Sequence, residues 1–183
     1  MINKIESRQN QRIKDLMNSK RLKENKLFKI EGFHAFEMAK ESGVLVSVFV
    51  TKEIKDFDGE QFVVSPSIME SISSAKSPQG IISVCKCFEE KPIKSSKVLL
   101  LDNVSDPGNL GTLLRTGLAF GYNDVILNGG CSPYNEKVLQ STQGAIFNLN
   151  IVNHFDKSFV KDFNVIATEI NGCVDLSKVK TIR

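Results

Sequence analysis

The chain has 183 residues, 41% of them hydrophobic and 25% charged, with a formal net charge of +3. That is the mixture of a soluble globular protein with room for one domain, or a small domain and part of another. No apolar run approaches the roughly 18 residues of a membrane span, and Met1–Glu6 has no secretory pattern, so a cytoplasmic protein with no membrane partner is expected.

The charge is unevenly spread. Residues 1–29 hold nine Lys/Arg against three acids, so a basic segment precedes a slightly acidic body. Such a segment suits a polyanion, nucleic acid first, and equally suits a solvated helix face. Residues 7–20 read as a first helix, with Ser7 as a possible cap and Ile13, Leu16 and Met17 on one face. Leu27–Glu31 reads as a strand and Phe33–Lys40 as a helix. Strands follow at Val44–Val50 and Gln61–Val64, then a proline-started helix at Pro66–Ser73. Ser77-Pro78-Gln79-Gly80 is a turn into the strand Ile81–Val84. This alternation gives a small α/β domain over residues 1–90, with a polar, proline-containing linker at 91–96.

The alternation restarts at 97–183. Val98–Leu101 is an apolar strand of the kind covered on both faces. A helix at Leu110–Phe120 stops at Gly121, followed by a strand at Val125–Leu127, a helix near Asn135–Thr142 and a strand near Ile146–Ile151. A short helical or turn segment then precedes a strand at Phe163–Ala167. The pattern is that of a parallel α/β sheet.

Cys85, Cys87, Cys131 and Cys173 form no zinc pattern, and without a secretory signal free thiols are expected. His34 and His154 are isolated, so no metal site is expected. The chemistry concentrates in Asp102–Thr116, which leaves the carboxyl end of the first apolar strand and opens a helix, where open α/β sheets bind ligands. Asn109 is placed as a possible N-cap after Pro107. Leu110, Leu113, Leu114, Gly117 and Leu118 follow a helical core stripe, and Arg115 falls off it. Helical side chains lean toward the N-terminus, so the guanidinium would pass over Gly111 toward Asn109 and Asp106 and favour a phosphate. The alternatives are bracing of Arg115 on Asp106, a mere cap at Asn109 and turn-only glycines. Gly108 and Gly111 do not make a dinucleotide-binding fingerprint.

The run Asn103-Val104-x-Asp106-Pro107-x-Asn109-x-Gly111-x-x-x-Arg115-Thr116 resembles the first signature motif of SpoU/TrmH-type RNA methyltransferases of the SPOUT superfamily. The similarity continues through Ala119–Gly121, Ser132–Val138 and Ser141–Phe147. Ile30-Glu31-Gly32 and Ser77–Ile81 resemble the family's substrate-binding domain, itself similar to small ribosomal RNA-binding proteins. The resemblance implies methylation of a ribose 2′-hydroxyl, most often in ribosomal RNA, with S-adenosylmethionine as cofactor and no metal. It implies an α/β-knot domain and a homodimer. Arg115 would then activate the hydroxyl with Asn109 organising the site, and Thr168, Glu169 and Gly172 would touch the cofactor. The basic segment, through Arg8, Arg12, Lys14, Lys20 and Arg21, would contact RNA phosphates. The family's G-x-E run and its Ser-Leu-Asn segment do not occur in residues 97–183, so a C-terminally truncated methyltransferase domain is expected. An RNA-binding remnant without catalysis, or a nucleotide-binding module of another kind, are the alternatives.

Overall fold

A computed structural model describes residues 2–168. The first half is a five-stranded mixed sheet in the order β1-β4-β3-β5-β2, from β1 (Ile2–Ile5), β2 (Leu27–Glu31), β3 (Leu45–Val50), β4 (Glu60–Val64) and β5 (Ile81–Lys86). β4 lies parallel to β1 and β3, whereas β5 runs antiparallel to β3 and β2. The β-branched runs at β3, β4 and β5 fit a sheet covered on both faces. One face packs Phe49, Phe62 and Val64 against Ile13 and Leu16 of α1 (Gln11–Met17) and Ile68, Met69 and Ile72 of α4 (Pro66–Ile72). The other packs Val48, Val50 and Ile81 against Phe36 of α3 (Phe33–Glu41).

Two expectations for this half are corrected. The helix expected over 7–20 is two, because Asn18 ends α1 and its side chain caps α2 (Ser19–Glu24) by accepting from the Arg21 N–H at 3.1 Å. The cap of α1 is Asn10, which accepts from the Arg12 N–H, while the Ser7 hydroxyl serves the Gln9 N–H in a local turn. β1 was not foreseen: a four-residue edge strand takes its register from β4, about sixty residues away.

The second half is a parallel sheet in the order β6-β7-β8, from β6 (Val98–Asp102), β7 (Asp124–Asn128) and β8 (Asn150–Val152). α5 (Pro107–Ala119) and α6 (Glu136–Thr142) connect these strands. The strand expected near 146–151 divides into a 3-10 helix at Ala145–Asn148 and the short β8. Gln143 and Gly144 are both left-handed there, at φ 50° and 88°, and turn the chain before it can extend. A second 3-10 helix spans Lys157–Asp162, but the strand expected at Phe163–Ala167 is absent and that segment has no regular structure.

The halves are not merely tethered. One apolar cluster runs from Phe28, Ile30, Ala39 and Cys85 through Leu101, Leu114, Val125, Val138 and Ile146. Phe28 and Tyr134 pack with tilted rings, their centres 5.0 Å apart, and the Phe88 N–H donates to the Tyr134 oxygen at 2.9 Å. Lys29, its side chain 9% exposed, reaches Glu136 at 3.2 Å and the Ile72 carbonyl at 3.3 Å. Asp124, at the start of β7, pins the linker by accepting from the Lys94 and Ser95 N–H groups, and it also accepts from the Asn150 amide at 2.6 Å. Burial works against the ionised form of Asp124, but these hydrogen bonds outweigh it and hold the carboxyl below its usual range.

Candidate functional site

The loop after β6 sets up the site by backbone means. Asn103 stands at φ 51°, and its N–H donates to the Asn128 carbonyl at 2.8 Å, tying the end of β6 to the end of β7. The helix then begins earlier than the sequence suggested. Asp106, not Asn109, is the N-cap of α5: its carboxylate accepts from the Asn109 N–H at 2.7 Å, and Pro107 fills the first turn. Asp-Pro is the stronger start signal, because proline has no N–H to leave unpaired at that position. Asn109 thus stands inside the first turn, exposed, and its side-chain amide has no protein partner among the described residues.

Arg115 is exposed and makes no hydrogen bond or ion pair among the described residues. The proposed bracing on Asp106 is therefore not formed, since Asp106 is committed to the cap. Gly111 has a different role from the clearance expected of it. It is buried against α6, where an added Cβ would stand 2.6 Å from the Val138 carbonyl oxygen and against Ser141. Glycine here lets two helix backbones touch, and Arg115 emerges at the rim of that contact. Of the expected core stripe, Leu110, Leu114 and Gly117 are buried, Leu118 is half-buried and Leu113 is 39% exposed. Asn109 and Arg115 are six residues apart, so they lie about 9 Å apart along the axis and about 120° apart around it. No direct contact joins them, and both stand exposed on α5.

The loop after β7 completes the face. Gly129 and Gly130 are both left-handed, at φ 74° and 82°, and a Cβ on Gly130 would fall on the Val104 backbone. The Cys131 N–H donates to the Val104 carbonyl at 3.0 Å, so this turn and the Asn103–Asp106 loop form one surface at the carboxyl end of the sheet. The pair Gly129–Gly130 is a legible turn signal in the sequence, since two adjacent glycines follow a strand. Cys131 is a free thiol raised above its usual pKa chiefly by burial. Cys85 and Cys87 are free as well, and burial pushes Cys85 up to about 12. Among the described residues no cluster of His, Cys, Asp and Glu could hold a metal ion. None of their helices is long and apolar enough to cross a membrane.

The basic N-terminal residues are partly engaged within the protein. Arg8 donates to the Ser67 carbonyl at 2.8 Å and to its hydroxyl at 2.6 Å. Arg12 reaches Glu60 at 3.4 Å and lies 4.5 Å from the centre of the Phe62 ring. Arg21 pairs with Asp15 at 2.7 Å, and Lys20 approaches Glu24 at 3.9 Å. Lys14 is exposed and unpaired among the described residues. Of the residues expected to touch a cofactor, Thr168 is exposed in an irregular segment, while Glu169 and Gly172 lie outside the described residues.

The comparisons agree with this arrangement. The SpoU rRNA Methylase family profile matches residues 96–180. The 23S rRNA (guanosine(2553)-2′-O)-methyltransferase RlmP of Bacillus subtilis (strain 168) is 35% identical over 178 residues, covering 92% of this chain and 72% of its own. An rRNA methyltransferase from Sinorhizobium meliloti superposes with a TM-score of 0.81 at 24% identity, over 95% of this chain and 75% of that one. An RNA 2′-O ribose methyltransferase follows with a TM-score of 0.68 at 28% identity, over 87% and 68%. On the identity and reach of the RlmP match and the coverage of its second half by the family profile, this chain belongs to the SpoU rRNA methylase family.

Proposed function

We propose that the chain methylates a ribose 2′-hydroxyl of ribosomal RNA, with S-adenosylmethionine as methyl donor. The observation that carries this reading is the free pair of Asn109 and Arg115 on α5, at the carboxyl end of a parallel sheet, in a chain 35% identical to a 23S rRNA 2′-O-methyltransferase. When bound, S-adenosylmethionine supplies a methyl group activated by its sulfonium. The described residues fit the acceptor side of that reaction, because two polar side chains without protein partners face solvent where a ribose would approach.

Methyl transfer to oxygen needs the 2′-oxygen aligned with the carbon–sulfur bond, so orientation is the larger part of the protein's contribution. An arginine keeps its proton at neutral pH because its pKa exceeds about 12. Arg115 therefore acts as a donor: its planar fork holds the ribose–phosphate and polarises the hydroxyl, while the hydroxyl proton leaves to an oxygen base such as the RNA phosphate. Asn109 holds the acceptor nucleotide from the first turn of the same helix. Thr168, Glu169 and Gly172 are the residues proposed to meet the cofactor.

The division of labour follows the sequence. Residues 1–90 form a substrate-binding domain similar to ribosomal RNA-binding proteins, 91–96 the linker and 97–183 the N-terminal part of an α/β-knot methyltransferase domain; the family match beginning at residue 96 supports that boundary. Arg8, Arg12, Lys14, Lys20 and Arg21 contact RNA phosphates. The working form is a cytoplasmic homodimer, a reading supported by apolar surface at Leu100, Leu113 and Phe120, which are 37%, 39% and 72% exposed. Incubation of the chain with transcribed 23S rRNA and methyl-labelled S-adenosylmethionine tests the function. The label should appear in an alkali-resistant dinucleotide, the mark of a 2′-O-methyl ribose. Label recovered in a base, or none from the wild type, rejects it.

A further inference from the structure

Beyond the ribose site, an open crevice of about 380 Å³ lies between the two halves of the chain. One wall is Lys23, on α2 of the first half. The other is the turn after β7, with Gly129, Gly130, Ser132 and Tyr134, and Asn153 beyond β8 closes the end. Its lining is rich in unanswered donors. Lys23 makes no ion pair among the described residues, in contrast to Arg12, Lys20, Arg21 and Lys29. The Gly129 and Gly130 N–H groups have no protein acceptor among the described residues, and both glycines take left-handed turn positions beside the crevice. Tyr134 accepts from the Phe88 N–H, and its own hydroxyl proton has no acceptor among the described residues.

The acids nearby are already committed. Glu90 accepts from the backbone and side chain of Asn153 and pairs with His154 at 3.5 Å. Asp106 caps α5. The free donors of this lining, with the Lys23 ammonium among them, suit an anion. The crevice adjoins the ribose site, because Cys131 is hydrogen-bonded to Val104 and a Cβ on Gly129 would lie 3.5 Å from the Asn103 side-chain oxygen. It also meets the basic first 29 residues at α2.

We propose that this crevice holds a backbone phosphate of the rRNA beside the target nucleotide, with Lys23 and the Gly129–Gly130 turn as its ligands. The proposal rests on the reading of the chain as a ribose methyltransferase. The clamp spans both halves, so the RNA strand is held against the methylating face by a residue that belongs to the other half.

Binding of transcribed 23S rRNA across a salt series, with ethylation interference on the same RNA, tests this. Each phosphate contact adds roughly 0.7–0.9 to the slope of log affinity against log salt. Lys23→Gln should reduce the slope by about that much and weaken binding roughly five- to eight-fold at 0.1 M salt. Lys23→Arg should keep most of the affinity. Lys55→Gln, the same charge change on an exposed residue of the Thr51–Gly59 loop, should leave the slope unchanged. Ethylation of a phosphate flanking the methylated nucleotide should weaken the wild type and leave Lys23→Gln no weaker than before. If the wild type binds and methylates 23S rRNA while Lys23→Gln matches it in both readouts, the crevice assignment is overturned and the ribose reading stands. A crevice serving free phosphate would give that same result. If the wild type shows no salt-dependent binding, the ribose reading falls and takes the crevice with it.

Discussion

The arginines of the N-terminal segment are answered by partners within their own half, whereas Asn109 and Arg115 on α5 of the second half are not. Arg8, Arg12 and Arg21 each find a partner within the N-terminal half, at Ser67, Glu60 with Phe62, and Asp15. Asn109 and Arg115 find none among the described residues. A charge with a partner contributes to the fold, and a ligand must compete for it. A charge held out with no partner adds little to the fold and is available to a ligand. The comparison separates residues whose loss should show in stability from residues whose loss should show in turnover.

The largest effect is expected at Arg115. Both Arg115→Ala and Arg115→Lys should lower methylation of 23S rRNA by about 100- to 1,000-fold, the usual loss when one positioned donor to the reacting oxygen is removed. Neither should move the unfolding free energy by more than about 0.5 kcal/mol, since the side chain is exposed and unpaired. A lysine enzyme with near-normal turnover would show that charge alone suffices and the planar fork does not matter. A large stability loss would move Arg115 to the structural side of the comparison.

Gly111→Val comes next, and here the helix should fail before the chemistry. An added side chain meets the Val138 carbonyl and Ser141, both on a helix backbone that cannot step aside. Overpacking of this kind costs about 1–3 kcal/mol and often more against backbone. Denaturant unfolding should show the loss, with Arg115 still exposed.

Gly111 also shows where the sequence could be read and where it could not. The motif around it is legible, and so is the strand Leu27–Glu31, whose bounds match the observed strand. Those signals are local. The face of α5 that Gly111 presents is decided by α6, some thirty residues on, so the glycine reads as clearance for an arginine when it is a helix–helix contact. The same limit hid β1, whose register comes from β4; the split at Asn18, where one asparagine ends one helix and caps the next, is by contrast a local signal. Lys23 reads in the sequence as one basic residue among nine, because only the packing of the two halves brings α2 to the Gly129–Gly130 turn.

A smaller effect belongs to Asp124, on the structural side. Asparagine keeps the shape but replaces one acceptor oxygen with a donor, opposing the Lys94 and Ser95 N–H groups or the Asn150 amide. Asp124→Asn should cost about 1–3 kcal/mol. The pH dependence follows from the depressed folded pKa: the stabilisation is complete above the unfolded value near 3.9 and is lost as pH falls through the lower folded value. Wild-type stability should therefore fall more steeply below about pH 4 than that of the variant. Parallel acid-unfolding curves would show that Asp124 is not what ties the linker to β7.

The smallest effect in stability is expected at Lys20, and it bears most directly on the basic segment. Its side chain is 85% exposed and its contact with Glu24, itself 64% exposed, is long at 3.9 Å. Pairs this exposed contribute at most about 0.2–1 kcal/mol, so Lys20→Gln should leave thermal unfolding within about 0.5 kcal/mol of the wild type. Arg21→Gln changes the same charge one residue later but breaks a 2.7 Å contact with Asp15 across the α1–α2 junction. If both residues meet phosphates, each variant should lower the salt slope of 23S rRNA binding by about one, and only the arginine variant should also lose measurable stability. Should Lys20→Gln leave the slope untouched while Arg21→Gln lowers both, the RNA surface is narrower than the charge count suggests. It would then start at the residues whose geometry the fold already fixes.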